Sequence, residues 1–312
     1  MHVPDPNATD DCFGVANASL VKRSMVEAVQ RGIQAIRRAR HAFESESKGL
    51  KDGGGEDFVT SADRGAQAAM VKVLSEDFPH FGIVAEEDGL HRPSTHPDDL
   101  WFSLDPLDGT SAFRRRQSGG FGPMLALARG ETVIAAFVGD AMTQEVFGYK
   151  PGSDKVWRSA PDLPPERLEP WTTRRLAGQY VLLRDNPWAY SARGQALCLR
   201  TFDGPLGVSK PPLFAGMETA NGSIGLSFAR LWKGEVGAHL LRPNKQTPWD
   251  LLPVLGISLR LGFVFLRLGP DGALTPFVPR VSKEVYRTDD EVLVVHERHV
   301  SELLAWCGVE GV

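Results

Sequence analysis

The chain has 312 residues, of which 42% are hydrophobic and 24% charged, enough apolar side chain to bury a sizeable core and to exclude a disordered protein. Its length suits two domains or one large unit. Lys and Arg total 35 against 39 Asp and Glu, a net charge of −4, so the basic excess that general nucleic-acid binding needs is missing.

Residues 1–14 read as a polar, flexible arm without the basic and apolar regions of a signal peptide. From 15 to 43, Val21, Met25, Ala28, Ile36, Ala39 and Phe43 recur at helical spacing, while Arg31, Arg37, Arg38 and Arg40 read as a solvated face. A polar loop is expected from 44 to 56, ending in three glycines. A second helix, 64–78, carries Ala66, Ala69, Met70, Val73 and Leu74 on one face. Short strands at 81–85 and 101–104 each end in carboxylates, and 123–128, 132–138 and 146–149 read as successive antiparallel strands. Residues 150–177, rich in Pro, Arg and Trp, read as a connection. Beyond it, strands at 180–183, 236–241, 263–266 and 292–295 alternate with helices at 223–232, 248–261 and 299–307. The expected division is a flexible arm (1–14), an N-terminal α+β half (15–150) and a C-terminal α/β half (151–312). The most apolar stretch, 251–266, is broken by Arg260 and reads as core. Cys12, Cys198 and Cys307 form no disulfide framework, which fits a reducing compartment; a cytoplasmic protein with neither a membrane nor a nucleic-acid partner is expected.

The chemistry concentrates in Trp101-Phe102-Ser103-Leu104-Asp105-Pro106-Leu107-Asp108-Gly109-Thr110. An apolar strand ends at Asp105, Pro106 forces a turn, and Gly109 permits a backbone geometry closed to most residues. Two carboxylates on such a turn can converge, with the Leu107 carbonyl between them, as oxygen ligands for a hard cation. Three further carboxylate sites stand at a strand end or a helix start: Glu86 and Glu87 in Ala85-Glu86-Glu87-Asp88-Gly89, Asp63 in Val59-Thr60-Ser61-Ala62-Asp63, and Asp250 in Pro248-Trp249-Asp250.

In chain order, Val-Thr-x-x-Asp, Glu-Glu-Asp-Gly, Asp-Pro-Leu-Asp-Gly-Thr and Trp-Asp, these motifs resemble the inositol monophosphatase family, within a superfamily of Mg²⁺-dependent, lithium-sensitive phosphatases. The resemblance implies a layered αβαβα sandwich of the sugar-phosphatase type, an α/β (α+β) fold with the active site between its halves. It implies an Mg²⁺-dependent phosphomonoesterase, holding two or three ions and acting on a small phosphorylated metabolite as a homodimer. Glu86, Asp105 and the Leu107 carbonyl would hold a first ion, and Asp105, Asp108 and Asp250 a second; Glu86 would share a third. Asp63 and Thr110 would orient and deprotonate the attacking water, and the Gly109, Thr110 and Ser111 amides would grip the phosphate.

The chain departs from the inositol-specific pattern where those relatives carry an acidic residue seven positions before the last Asp. Here Pro243 stands between Arg242 and Lys245. With Arg114 to Arg116 after the phosphate loop, Arg242, Lys245 and Arg114 become candidate specificity residues for a second anionic group. A second anionic group points to 3′-phosphoadenosine 5′-phosphate or a sugar bisphosphate as alternative substrates, and the family resemblance adds histidinol phosphate. A rival reading is a non-catalytic phosphate-sensing or interaction protein on the same scaffold.

Overall fold

Two amphipathic helices lead into the first sheet of the computed structural model, which describes residues 12–13, 16–50, 56–198, 211–269 and 273–308. In α1 (Ala18–Ala39) the Asn17 side chain accepts from the Leu20 amide and caps the helix. Val21, Met25, Ala28, Val29, Ile33 and Ile36 form its buried stripe. Its arginines are not all a solvated face. Arg31 pairs with Glu27, but Arg37 donates to the Ala141 and Met142 carbonyls and Arg40 to the Gln117 carbonyl, tying the end of the helix to loops of the sheet.

The stretch 44–56 is not simply a loop. Strands Ser45–Leu50 and Glu56–Thr60 pair antiparallel across it, Ser45 opposite Thr60 and Leu50 opposite Glu56. The outer strand is exposed along its whole length, so no apolar alternation marks it in the sequence. Glycines 53–55 and the expected arm, Cys12 and Phe13 apart, lie outside the described residues. α2 (Ser61–Asp77) follows directly, three residues earlier than the periodicity predicts, because Thr60 caps it.

The first sheet has eight strands in the order Glu166–Arg167, Trp157–Ser159, Val146–Tyr149, Thr132–Gly139, Gly122–Arg129, Leu100–Asp108, Gly82–Ala85 and His91–Arg92. Gly82–Ala85 runs parallel to Leu100–Asp108 and every other pairing is antiparallel. The expected connection at 150–177 thus contributes two strands, and the sheet continues past the expected boundary at 150. Side chains alternate across the sheet. Phe102, Leu104, Leu125 and Leu127 pack under α1 and α2, whereas Trp101, Met124, Ala126 and Val138 face the other way.

On that other face lie α5 (Ile224–Trp232) and α6 (Pro248–Arg260), reached after the short α3 (Thr110–Arg114) and α4 (Ala192–Ala196). Beneath them a six-stranded sheet runs Gly216–Thr219, Tyr180–Leu183, Ala238–Leu241, Glu291–His296, Phe263–Leu268, Leu274–Pro276. Leu182, Val292 and Val294 point to α5 and α6; Val181, Leu183, Leu293 and Val295 point to the last layer, where Leu303 of α7 (Val300–Cys307) packs. The architecture is the expected layered αβαβα sandwich, an α/β fold. No described helix is long and apolar enough to cross a membrane.

Candidate active site

The strand Leu100–Asp108 carries a bulge where it leaves the sheet. Asp105 pairs with Met124 and Asp108 with Gly122, so three steps on one strand oppose two on the other. Pro106 sits in the bulge, where a missing N–H breaks no ladder bond. The Leu107 amide donates to Asp105 Oδ1 at 2.8 Å, and the Leu107 side chain is buried beside Ile36, Ala62 and Phe113. Gly109 then takes φ +91°; a Cβ there would lie 2.4 Å from the Gly120 carbonyl oxygen and 2.8 Å from the Ser223 nitrogen.

That close approach brings the second half to the first. Asp108 Oδ2 accepts from the Ser223 hydroxyl at 2.5 Å and from the Gly225 amide at 2.9 Å, and Ser223 also caps α5. Asp250 stands in the first turn of α6, where the Thr247 hydroxyl donates to it at 2.7 Å. One oxygen each from Asp105, Asp108 and Asp250 lies within 4.8 Å of the others. Glu86 joins them because its amide donates to the Leu104 carbonyl, prolonging the parallel pairing one residue past the strand. The Gln67 side chain exchanges two hydrogen bonds with the Glu87 backbone and fixes this turn.

The electrostatics show what such a cluster wants. Burial first, then Glu86, Asp108 and Asp250, push the Asp105 carboxyl well above the usual range. Asp108 is pushed up to about 6 by burial and by Asp250, against the pull of Arg184, Ser223 and the Gly225 amide. Glu86 reaches about 8, through burial and the charges of Asp250 and Glu87, although Lys48 opposes the rise. Lys48 Nζ donates to Glu86 at 3.1 Å and to Glu87 at 2.7 Å. Burial works against its ammonium, yet the two glutamates outweigh it and hold its pKa above the ordinary lysine value. Packed carboxyl oxygens that resist ionisation on their own form a hard donor set, which fits a divalent cation such as Mg²⁺.

A second constellation touches the first. Thr110 Oγ1 is 3.0 Å from Asp63 Oδ1 and 3.1 Å from the Leu107 carbonyl. The other oxygen of Asp63 accepts from the Thr60 amide at 2.8 Å and the Thr60 hydroxyl at 2.5 Å, so the helix-capping box of α2 also orients this carboxylate. Burial raises the Asp63 pKa against those bonds.

The structure thus gathers Asp63, Glu86, Asp105, Leu107, Asp108, Thr110 and Asp250 at one place; Gly109 and Ser111 flank Thr110 at the start of α3. The three cations expected to read a second anion are placed differently. Arg114 lies over the Phe58 ring, 3.1 Å from its centroid, Arg242 donates to Asp185 at 2.8 Å, and Lys245 is exposed on the short strand Lys245–Gln246. Sequence reasoning missed Lys48, which lay in the supposed loop, and the hydroxyls of Thr60, Ser223 and Thr247. The signal for Thr60 and Thr247 was present as Thr-x-x-Asp at 60–63 and 247–250, the spacing of a reciprocal helix cap; Lys48 and Ser223 carried none of that kind.

Comparison with known proteins agrees with this arrangement. The profile of the inositol monophosphatase family matches residues 18–189. The chain is 35% identical over 132 residues to the Nus factor SuhB of Vibrio cholerae, covering 38% of this chain and 46% of that protein. It is 30% identical over 129 residues to an inositol-1-monophosphatase of Caulobacter vibrioides, covering 41% and 48%. The chain therefore spans about half the length of these two curated relatives. Among solved structures, the SuhB protein of Bartonella henselae superposes with a TM-score of 0.67 at 19% identity, over 94% of this chain and 99% of that one. An IMPase/NADP phosphatase complexed with NADP and Ca²⁺ superposes with a TM-score of 0.64 at 16% identity, over 96% and 97%.

Proposed function

Because the chain belongs to the inositol monophosphatase family, we propose that it is an Mg²⁺-dependent phosphomonoesterase acting on a small phosphorylated metabolite. The convergence of Asp105, Asp108 and Asp250 within 4.8 Å carries this reading. Glu86, Asp105 and the Leu107 carbonyl would hold one ion, and Asp105, Asp108 and Asp250 another, with Glu86 sharing a third. Bound there, such ions mask phosphate charge, acidify water and receive the leaving alkoxide.

The remaining work belongs to the chain's own side chains. The Thr110 hydroxyl accepts a proton from the attacking water while passing its own to Asp63 Oδ1, 3.0 Å away. Asp63 suits this role because burial raises its proton affinity, while Thr60 keeps its other oxygen fixed. The amides of Gly109, Thr110 and Ser111 would hold the phosphate oxygens as the water approaches. Arg114 and Arg242 are engaged with Phe58 and Asp185, and the proposed chemistry requires no second anionic group on the substrate.

The test is phosphate release over a panel of inositol, sugar, nucleotide and amino-alcohol phosphates, with Mg²⁺ and with EDTA. Mg²⁺-dependent turnover of at least one compound is expected. Full activity in EDTA, or silence across the panel, overturns the proposal. The name Nus factor SuhB on several relatives favours a second reading, a non-catalytic phosphate-sensing or interaction protein on the same scaffold. Against it stands the Thr110–Asp63 pair beside the acidic cluster, an arrangement that a pure docking protein has no use for.

A further inference from the structure

We propose that Arg184 is a built-in cation of this site, held on the Asp108 side, which strengthens binding of the phosphate dianion and weakens binding of divalent ions. The inference rests on the phosphatase reading above. Arg184 directly follows the strand Tyr180–Leu183. The period of two puts its side chain on the face of Leu182, the face turned to α5 and the first sheet.

The guanidinium is anchored there. Its Nη2 donates to the Gly222 carbonyl at 2.8 Å. Gly222 has φ +112°, and a Cβ on it would lie 2.4 Å from the Gly120 carbonyl oxygen. The next residue, Ser223, donates its amide to Gly120 and its hydroxyl to Asp108. Arg184 is therefore one residue away from the group that holds a candidate metal ligand.

Its charge is also uncommitted. Nη1 is buried without a hydrogen-bond partner. Neighbouring cations are matched: Lys48 by Glu86 and Glu87, Arg242 by Asp185, and Arg230 by Glu218 and Glu235. Among the described residues no carboxylate forms an ion pair with Arg184, although its field reaches Asp108 and the buried His239. A fixed positive charge beside an acidic cluster acts with opposite sign on the two ligands. It repels a divalent cation and attracts a dianion. A purely structural role, holding Gly222 in place, would loosen Ser223 and Asp108 on removal and weaken both ligands together.

The experiment uses the full chain in calorimetric titrations, first with Mg²⁺ alone and then, in saturating Mg²⁺, with inorganic phosphate. Arg184→Gln removes the charge but keeps an amide donor for the Gly222 carbonyl; Arg184→Lys keeps the charge. For Arg184→Gln the expected result is Mg²⁺ binding several-fold tighter and phosphate binding about tenfold weaker, the scale of one partly screened unit charge. Arg184→Lys should retain most of the phosphate affinity. Should Arg184→Gln fail to fold, Arg184→Lys decides: a loss of phosphate affinity with folding intact contradicts a role based on charge. Weakening of both ligands in Arg184→Gln, or no change in either, overturns the proposal and leaves the phosphatase reading standing. A wild-type chain that binds Mg²⁺ but no phosphate defeats the phosphatase reading itself, and this inference with it.

Discussion

Replacing Asp105 with Asn tests the acidic cluster without disturbing its backbone. Asp105 and Asp108 are 2% and 7% exposed, and both sit among other carboxyls. A carboxyl whose pKa is raised in the folded state contributes stability below its unfolded pKa and loses it as pH rises through the folded value. For Asp108, a rise to about 6 from the ordinary aspartate value costs roughly 3 kcal/mol at pH 8 without metal. Saturating Mg²⁺ reverses the sign: at a hundred times its dissociation constant it adds about 2.7 kcal/mol. For 312 residues that corresponds to a Tm increase of about 4 °C. Asn keeps an oxygen for the Leu107 amide, which Asp105 now accepts at 2.8 Å, but carries no charge. In EDTA the Asp105→Asn protein should therefore lose less stability between pH 5 and pH 8 than the wild type does. It should show little Mg²⁺-dependent rise in Tm and at least about 10³-fold less phosphatase activity. The assay is thermal unfolding at both pH values, with EDTA and with Mg²⁺. A variant whose Mg²⁺-dependent shift equals that of the wild type would refute the assignment of Asp105 as a shared ligand.

Thr110→Ala should lower kcat by about 10²–10⁴-fold while its Mg²⁺ titration overlays the wild type, since the proposal gives the hydroxyl a proton-transfer role only; unchanged turnover would remove Thr110 from that role. Ser223→Ala takes a donor from buried Asp108 and the cap from α5, so the metal-free protein should be less stable by roughly 2–3 kcal/mol in denaturant titration. An unchanged midpoint would mean that the junction between the halves does not depend on this residue. Li⁺ at submillimolar to millimolar concentration should inhibit turnover by entering a weakly held ion position, an expectation carried by family membership; a rate that stays flat in Li⁺ and matches a Na⁺ control contradicts it.

The parts legible in the sequence were those whose cause is local. Pro106 and Gly109 announce a strand that breaks pattern at its end, and the bulge between Asp105 and Asp108 is the result. Apolar periodicity announces α1 and α2 because each buries one face, whereas α5 and α6, packed between the two sheets, read as apolar runs buried on more than one side. What was hidden depends on partners distant in sequence. The strand Ser45–Leu50 is exposed throughout and exists only because Glu56–Thr60 pairs with it, so Lys48 could not be placed. Trp157–Ser159 and Glu166–Arg167 are short strands at the edge-ward end of the sheet, of which Glu166–Arg167 is the edge, and among prolines they show no clear alternation. Arg37 and Arg40 look like surface charges until the carbonyls of Ala141, Met142 and Gln117 fold over them. Arg184 acquires meaning only when Gly222 comes within 2.8 Å of it.

The same residues that start helices also hold the acidic centre together, and this explains how like charges can be packed before any ion arrives. Asp63 and Asp250 occupy the first turns of α2 and α6, and Asp108 accepts from the Gly225 amide in the first turn of α5. Each helix start brings unsatisfied amides and a partial positive charge toward the cluster, an interaction of about 0.3–1 kcal/mol at each terminus and up to about 2 where partly buried. Each of these carboxylates is also tied by the hydroxyl of a helix-capping residue: Thr60 to Asp63, Ser223 to Asp108 and Thr247 to Asp250. Asp105 and Glu86 are the exceptions. They stand at strand ends with no α-helix start of their own, and burial with the neighbouring carboxylates pushes both upward, Glu86 to about 8. The cation requirement is therefore concentrated on those two. Binding of a divalent ion should change the protonation of Glu86, whose carboxyl is pushed up to about 8, releasing protons at pH 7 while the helix-start carboxylates keep their geometry.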